Sequence, residues 1–235
     1  MKLERLDKII ASQTSYSRKD IKKLISEGKI LLNKNIIKDS GLKVDLEKDE
    51  IIVNNQKINF QKNVYLILNK PKGYVSATED KKDKVVLELV PEKYKNRELF
   101  PAGRLDKDTT GLMIITDDGM FAHEILAPKK HVCKTYEVEI DIPVTEEMKQ
   151  GFKQGVRLND GECKTADLKI LDKYNAQVTL TEGRYHQIKR MFGCYGAKVV
   201  NLKRISIGTL KLPDNLKEGE CRELSENELN LIKMK

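Results

Sequence analysis

No apolar run in this 235-residue chain approaches the ~18 residues that a membrane-spanning helix needs; residues 64–68 and 112–115 are its longest aliphatic and aromatic stretches. Lys2, Glu4, Arg5, Asp7 and Lys8 stand where an export signal would carry an apolar core, so a cytoplasmic protein with no membrane partner is expected. Cysteine is scarce. Cys133, Cys163, Cys194 and Cys221 lie more than twenty-five residues apart with no Cys-x-x-Cys pair, which argues against a disulfide framework or a structural zinc site. His131 and Cys133 have a spacing two ligands can share, but His123 and His186 bring no further ligand at metal spacing, so reduced thiols and no metal are expected. Gly103, Gly111 and Gly119 are too dispersed for a dinucleotide fingerprint, and no repeat or low-complexity tract is present.

What the chain has is charge, 34% of its residues, with a net +8, beside 39% hydrophobic residues, enough for a buried core. Residues 1–60 hold 13 of the 44 Lys+Arg and 9 of the 36 Asp+Glu, half of the net charge on a quarter of the chain. Leu3, Leu6, Ile9 and Ile10 recur at helical spacing, and Ser17, Asp20 and Gly28 mark the cap, first turn and stop of a second helix. On that helix Ile21, Leu24 and Ile25 share one face. Arg18 with Lys22, and Lys19 with Lys23, form two i,i+4 rows of like charge that repel each other, an arrangement that suits a polyanion better than a bland solvated surface. Residues 30–32 and 36–37 flank the turn Asn33-Lys34-Asn35, and residues 50–53 give a third strand. The polar stretch 54–63 reads as a linker, with domains expected at 1–60 and 61–235.

Beyond residue 64, strands are expected at 64–68, 112–116, 136–142, 168–171 and 177–180, and helices at 121–126, 146–151 and 186–195. That irregular order predicts an α+β protein: a small helix-helix-sheet domain and a larger domain with a mixed or antiparallel sheet. Its densest polar signal is Gly103-Arg104-Leu105-Asp106-Lys107-Asp108-Thr109-Thr110-Gly111-Leu112, which sets Asp106 between two cations before an apolar strand. Taken alone, an aspartate in such a loop closes a turn more often than it performs chemistry.

Two resemblances alter that weighting. Arg5-Leu6-Asp7-Lys8, Ser17-Arg18 and the Gly28-Lys29-Ile30 hairpin resemble the S4 RNA-binding domain. The string around Asp106 resembles the motif that carries the nucleophilic aspartate of the pseudouridine synthases. Asn69-Lys70-Pro71-Lys72-Gly73, Lys134-Thr135-Tyr136 and Glu182-Gly183-Arg184-Tyr185-His186-Gln187-Ile188-Lys189-Arg190-Met191 follow in that family's order. The match extends over nearly the whole chain and is closest to the RsuA-type branch.

The resemblance implies an isomerase that converts a uridine of ribosomal RNA to pseudouridine without metal or cofactor. It implies Asp106 as the carboxylate at the ribose, Lys189 as its cationic partner with Arg190 as runner-up, and Tyr136 against the target base. Arg104 would fill the space of a flipped-out base. Arg18, Lys19, Lys22, Lys23, Lys70, Lys72, Arg184, His186, Gln187 and Arg190 are expected to contact RNA. Ile188, Met191, Phe192 and Tyr195 mark a buried helix face, which groups His186, Lys189 and Arg190 at i, i+3 and i+4. The stretch from Tyr185 to Met191 is closer to the small-subunit enzymes, so a monomer acting on 16S rRNA, free or in a small-subunit assembly intermediate, is expected. The alternatives are a target in 23S rRNA and a non-catalytic RNA-binding or ribosome-assembly protein.

Overall fold

The computed structural model describes residues 3–46, 48–127 and 132–233; His131 lies outside the described residues. Helix α1 (Leu6–Gln13) is followed by α2 (Arg18–Ser26), which a reciprocal cap begins: the Asp20 amide donates to the Ser17 hydroxyl at 3.2 Å and the Ser17 amide to the Asp20 carboxylate at 2.9 Å. Gly28, at φ +69°, turns the chain out of α2 in a conformation costly for any residue with a Cβ. Strand β1 (Ile30–Leu32) then pairs with β2 (Asn35–Ile36) across Asn33-Lys34, both at positive φ, the mirror-image turn whose twist suits a hairpin.

On its other edge β1 pairs with β3 (Ile51–Val53), which turns through Asn54-Asn55 into β4 (Gln56–Lys57). Part of the expected linker is therefore a second hairpin, because asparagines tolerate the positive φ that its turn requires. Leu6, Ile9 and Ile10 of α1, with Ile21, Leu24 and Ile25 of α2, pack on Ile30, Val44, Ile51 and Val53. Leu3 lies outside the helix and is exposed. The cations Arg18, Lys19, Lys22 and Lys23 stand exposed on α2, with Lys23 3.9 Å from Glu27.

The chain divides into two units, residues 1–63 with 90–98, and residues 64–89 with 99–235. A single cut near residue 60 misses the excursion at 90–98. Backbone carbonyls hold that segment in the first unit: Asn96 donates to Thr14 and Tyr16, and Arg97 to Gln61 and Lys62.

Among the described residues, the second unit is built on a nine-stranded sheet. Its main path uses β5 (Tyr65–Lys70), β6 (Thr110–Thr116), β7 (Lys134–Ile140), β8 (Asp167–Ile170), β9 (Asn175–Leu180), β10 (Val199–Ile207) and β11 (Cys221–Glu223), in the order β8-β9-β7-β10-β6-β5-β11. Neighbours are antiparallel except β10 and β6, which run parallel, so the sheet is mixed as the α+β reading expects. Helices α3 (Gly119–Leu126), α4 (Glu146–Gln154), α5 (Gln187–Gly193) and α6 (Glu226–Lys233) complete the unit.

Strand β10 lies mid-sheet and is absent from the sequence reading. Its buried positions include Arg204 and Ser206 while Val200 is half exposed, so the alternation that marks a strand is scrambled. Ile67, Leu112 and Ile114 form a core with Phe121, Ala122 and Ile125 of α3 and Ile232 of α6. On α5, Ile188, Met191 and Phe192 are buried, and the Phe192 ring lies 4.9 Å from that of Phe152 on α4. No helix among the described residues is long and apolar enough to cross a membrane.

The parallel junction depends on Gly111. It pairs with Arg204 at φ +100°, and a Cβ there would sit 2.2 Å from the Arg204 carbonyl oxygen and 2.8 Å from its nitrogen. Both atoms belong to backbone that cannot yield without breaking the ladder. We expect Gly111→Ala to destabilise the protein by roughly 3 kcal/mol in urea unfolding, while Gly119→Ala, where nothing lies within 4 Å, stays within about 0.5 kcal/mol. Equal effects at the two sites would contradict this account of the junction.

Candidate active site

Residues 103–109 lead into β6, and buried groups from β5 and the segment after it grip their backbone. The Ser76 hydroxyl donates to the Leu105 carbonyl at 2.7 Å and accepts the Leu105 amide at 3.0 Å. Lys70, the last residue of β5, is fully buried. Its ammonium lies 2.8 Å from the Thr109 carbonyl oxygen, 3.0 Å from that of Asp106, 3.1 Å from that of Pro71 and 3.3 Å from that of Lys107. The Gly73 amide adds a hydrogen bond to Lys107 at 2.8 Å. Lys70 is thus not the phosphate contact expected of it, because an ammonium without solvent access cannot meet RNA. Burial lowers its pKa to about 8, against the pull of the Asp108 and Asp106 carboxylates, and nearby Arg204 pushes the same way as burial.

With its backbone held, Asp106 presents its carboxylate to α5 and the residue before it. Lys189 Nζ lies 3.2 Å from Asp106 Oδ2, and His186 Nε2 3.3 Å from Oδ1. The same ammonium donates to both oxygens of Asp108, at 2.6 and 2.9 Å. Burial works against the Lys189 charge, but the two carboxylates outweigh it and raise its pKa above the ordinary lysine value. In return, the hydrogen bond from Lys189 lowers the pKa of Asp108. Asp108 and Ser76 are the members that sequence reasoning missed. Asp108 stands two residues from Asp106 and thus flanks the same cation, a spacing visible in the sequence; Ser76 carries no such signal.

Asp106, Tyr136 and Lys189 line one cleft, together with Leu180, Ile188 and Leu202. Tyr136 is buried on β7, on the same side as Val138 and Ile140. Arg104 is exposed where it lines that cleft. Thr109 also lines it, and its hydroxyl, sealed from solvent, has no hydrogen-bond partner among the described residues.

The remaining expected RNA contacts have protein partners. Arg190 forms a salt bridge with Asp160, whose pKa this contact lowers to about 2, so the cation on Asp106 is Lys189 and not Arg190. Arg184 donates to the carbonyls of Asp160, Gly161 and Glu162 and thereby clamps the turn at 159–160. Buried Gln187 bridges the Glu182 carboxylate and the Arg184 amide. Both Arg184 and Gln187 are placed to shape the loop before α5, a role short motifs do not reveal. Lys72 is exposed and donates to Asn201 at 2.6 Å.

The Lys70 charge leaves a signature in stability. Its folded pKa of about 8 lies below the ordinary 10.5, so between those values the unfolded chain binds a proton that the folded chain lacks, and stability rises with pH across that window. Relative to Lys70→Met, the wild type should gain about 2–3 kcal/mol between pH 7 and pH 10.5 in denaturant unfolding. Parallel pH profiles for the two proteins would contradict a buried ammonium at this position.

Known proteins carry the same organisation. The model described as RNA pseudouridylate synthase matches residues 64–193, and that of the S4 domain matches residues 4–51. The uncharacterized RNA pseudouridine synthase YtzG of Bacillus subtilis is 41% identical over 97% of this chain and 98% of its own. Ribosomal small subunit pseudouridine synthase A of Escherichia coli is 38% identical over 96% of this chain and 98% of its own. A crystal structure of a pseudouridylate synthase superposes with a TM-score of 0.69 at 38% identity, covering 97% of this chain and 99% of that one. With an RNA-binding S4 domain ahead of its catalytic domain, the chain belongs to the RNA pseudouridine synthases, isomerases that convert uridine to pseudouridine.

Proposed function

We propose that this enzyme modifies one uridine of 16S rRNA and that Asp106 is its nucleophilic carboxylate. The observation that carries the site assignment is the Asp106 carboxylate on a clamped loop with the Lys189 ammonium 3.2 Å away, in a cleft that Tyr136 also lines. Relatives named as small-subunit enzymes, which are 36–40% identical over 96–97% of this chain, support the 16S reading.

The reaction breaks the bond from ribose C1′ to uracil N1, turns the ring and forms a bond from C1′ to C5. The C5 proton is lost and N1 gains one, so atoms and charge balance with no redox step. Positive charge builds on the ribose as the first bond breaks, and the Asp106 carboxylate answers it, as carboxylates do for the oxocarbenium-like state of glycosidases. Lys189 orients that carboxylate while Asp108 holds Lys189. Tyr136 packs against the base. Arg104, exposed and lining the cleft, takes the place of the flipped base in its stack. Water must be kept from the ribose during the turn, because a sugar released from its base is open to hydrolysis. The exposed cations Arg18, Lys19, Lys22 and Lys23 of α2 hold rRNA phosphates, an interaction that weakens as salt rises.

The test uses deproteinised rRNA and partly assembled small subunits from cells lacking the enzyme, with pseudouridine mapped by carbodiimide and reverse transcription. Wild type should produce one new stop in 16S rRNA, and Asp106→Asn none while still binding the RNA. A stop in 23S rRNA would reassign the target. Normal modification by Asp106→Asn would remove the nucleophile, and no stop on either substrate would favour a binding protein.

A further inference from the structure

Tyr185 is 76% exposed, the most exposed aromatic side chain among the described residues of a chain with only 6% aromatics. It is held in place rather than loose. Its carbonyl accepts a hydrogen bond from Arg190 at 3.2 Å, and the loop around it is fixed by the Arg184 clamp and the Gln187 bridge. The next residue, His186, adopts the left-handed conformation at φ 48°, ψ 35°, which a residue with a side chain holds only when its surroundings enforce it. That backbone brings the two rings face to face, with centroids 3.8 Å apart and planes 20° apart.

His186 lines the cleft and reaches Asp106, so one face of the Tyr185 ring is backed by a residue of the site and the side chain remains open to solvent. An open aromatic face stacked on the cleft residue His186, with the Arg190 guanidinium at its own backbone, has the chemistry of a nucleobase-stacking surface; a protein partner's apolar side chain would gain little beside that charge. The chemistry creates a use for such a surface. Extruding the target uridine leaves its neighbours without a stacking partner on one side, and an aromatic ring stacked on a residue of the cleft offers a replacement.

We propose that Tyr185, backed by His186, is a stacking platform for the base of a nucleotide next to the target uridine. The proposal rests on the reading of the Asp106 cleft as the place where that uridine reacts. It adds a subsite that binds a flanking base through its π-face, tolerant of which base it is but intolerant of none at all.

The test measures pseudouridine formation by the full-length protein on an rRNA fragment that contains the mapped target, as a KM-against-kcat split. Tyr185→Ala should raise KM on the order of 10-fold to 100-fold with kcat within about 3-fold, and Tyr185→Phe should rescue it. Replacing one flanking nucleotide with an abasic one should raise the wild-type KM by a similar factor and add little in Tyr185→Ala. A fall in kcat at unchanged KM would overturn the proposal, since the ring would then only orient His186. Multiplying effects of the abasic nucleotide and Tyr185→Ala would overturn it too. A fully active Asp106→Asn enzyme would instead remove the reading of the cleft, and because stacking still reads out in equilibrium binding of the intact and abasic fragments, the two failures stay distinct.

Discussion

A buried ammonium surrounded by backbone carbonyls is the interaction on which the rest of the site depends. Lys70 ends β5 in register with Gly111, and Gly111 pairs with Arg204 across the parallel junction. These three residues form one row across the middle of the sheet. Gly111 allows the close backbone approach, Arg204 donates from its Nε to the Leu112 carbonyl at 2.7 Å, and Lys70 reaches into the loop ahead of β6. Burial disfavours the Lys70 charge, so folding pays for it, yet no neutral side chain could donate to three carbonyls of one loop. The outcome is a loop whose backbone is fixed and whose Asp106 side chain is left to reach across to α5.

That division between held backbone and presented carboxylate suits the reaction. A carboxylate that must meet charge at a ribose carbon gains most when it does not reorganise as the charge develops. Lys189 serves two carboxylates at once, and because Asp108 takes two of its donor directions at short distance, the ammonium is fixed before substrate arrives. Arg190, the neighbouring cation, is held on Asp160 and so does not compete for Asp106. Arg184, Gln187 and Glu182 shape the loop that places both His186 and the Tyr185 ring.

Much of this was legible in the sequence where local signals act. Ser17 and Asp20 announced α2 because a capping box is a contact between near neighbours, and the strings around Asp106, Tyr136 and Lys189 carried enough identity to place three residues that the fold brings into one cleft. Long-range partnerships were not legible. Nothing about Lys70 distinguishes a buried loop clamp from a phosphate contact until its 36-residue reach to Asp106 is seen, and Arg184 and Arg190 look like surface cations until the turn at 159–160 folds onto them. Strand β10 escaped because Arg204 and Ser206 occupy inward positions that periodicity assigns to apolar residues. Residues 90–98 join the first unit through carbonyls that every sequence possesses.

In the proposed site Lys189 acts on Asp106 and not on RNA. Steady-state kinetics of Lys189→Met on the rRNA substrate test it most directly. The expected result is a fall in kcat of about 10²–10³, the range for losing one charge-stabilising donor, with KM nearly unchanged and partial recovery in Lys189→Arg. A raised KM with kcat intact would mark Lys189 as an RNA contact and contradict its role on Asp106.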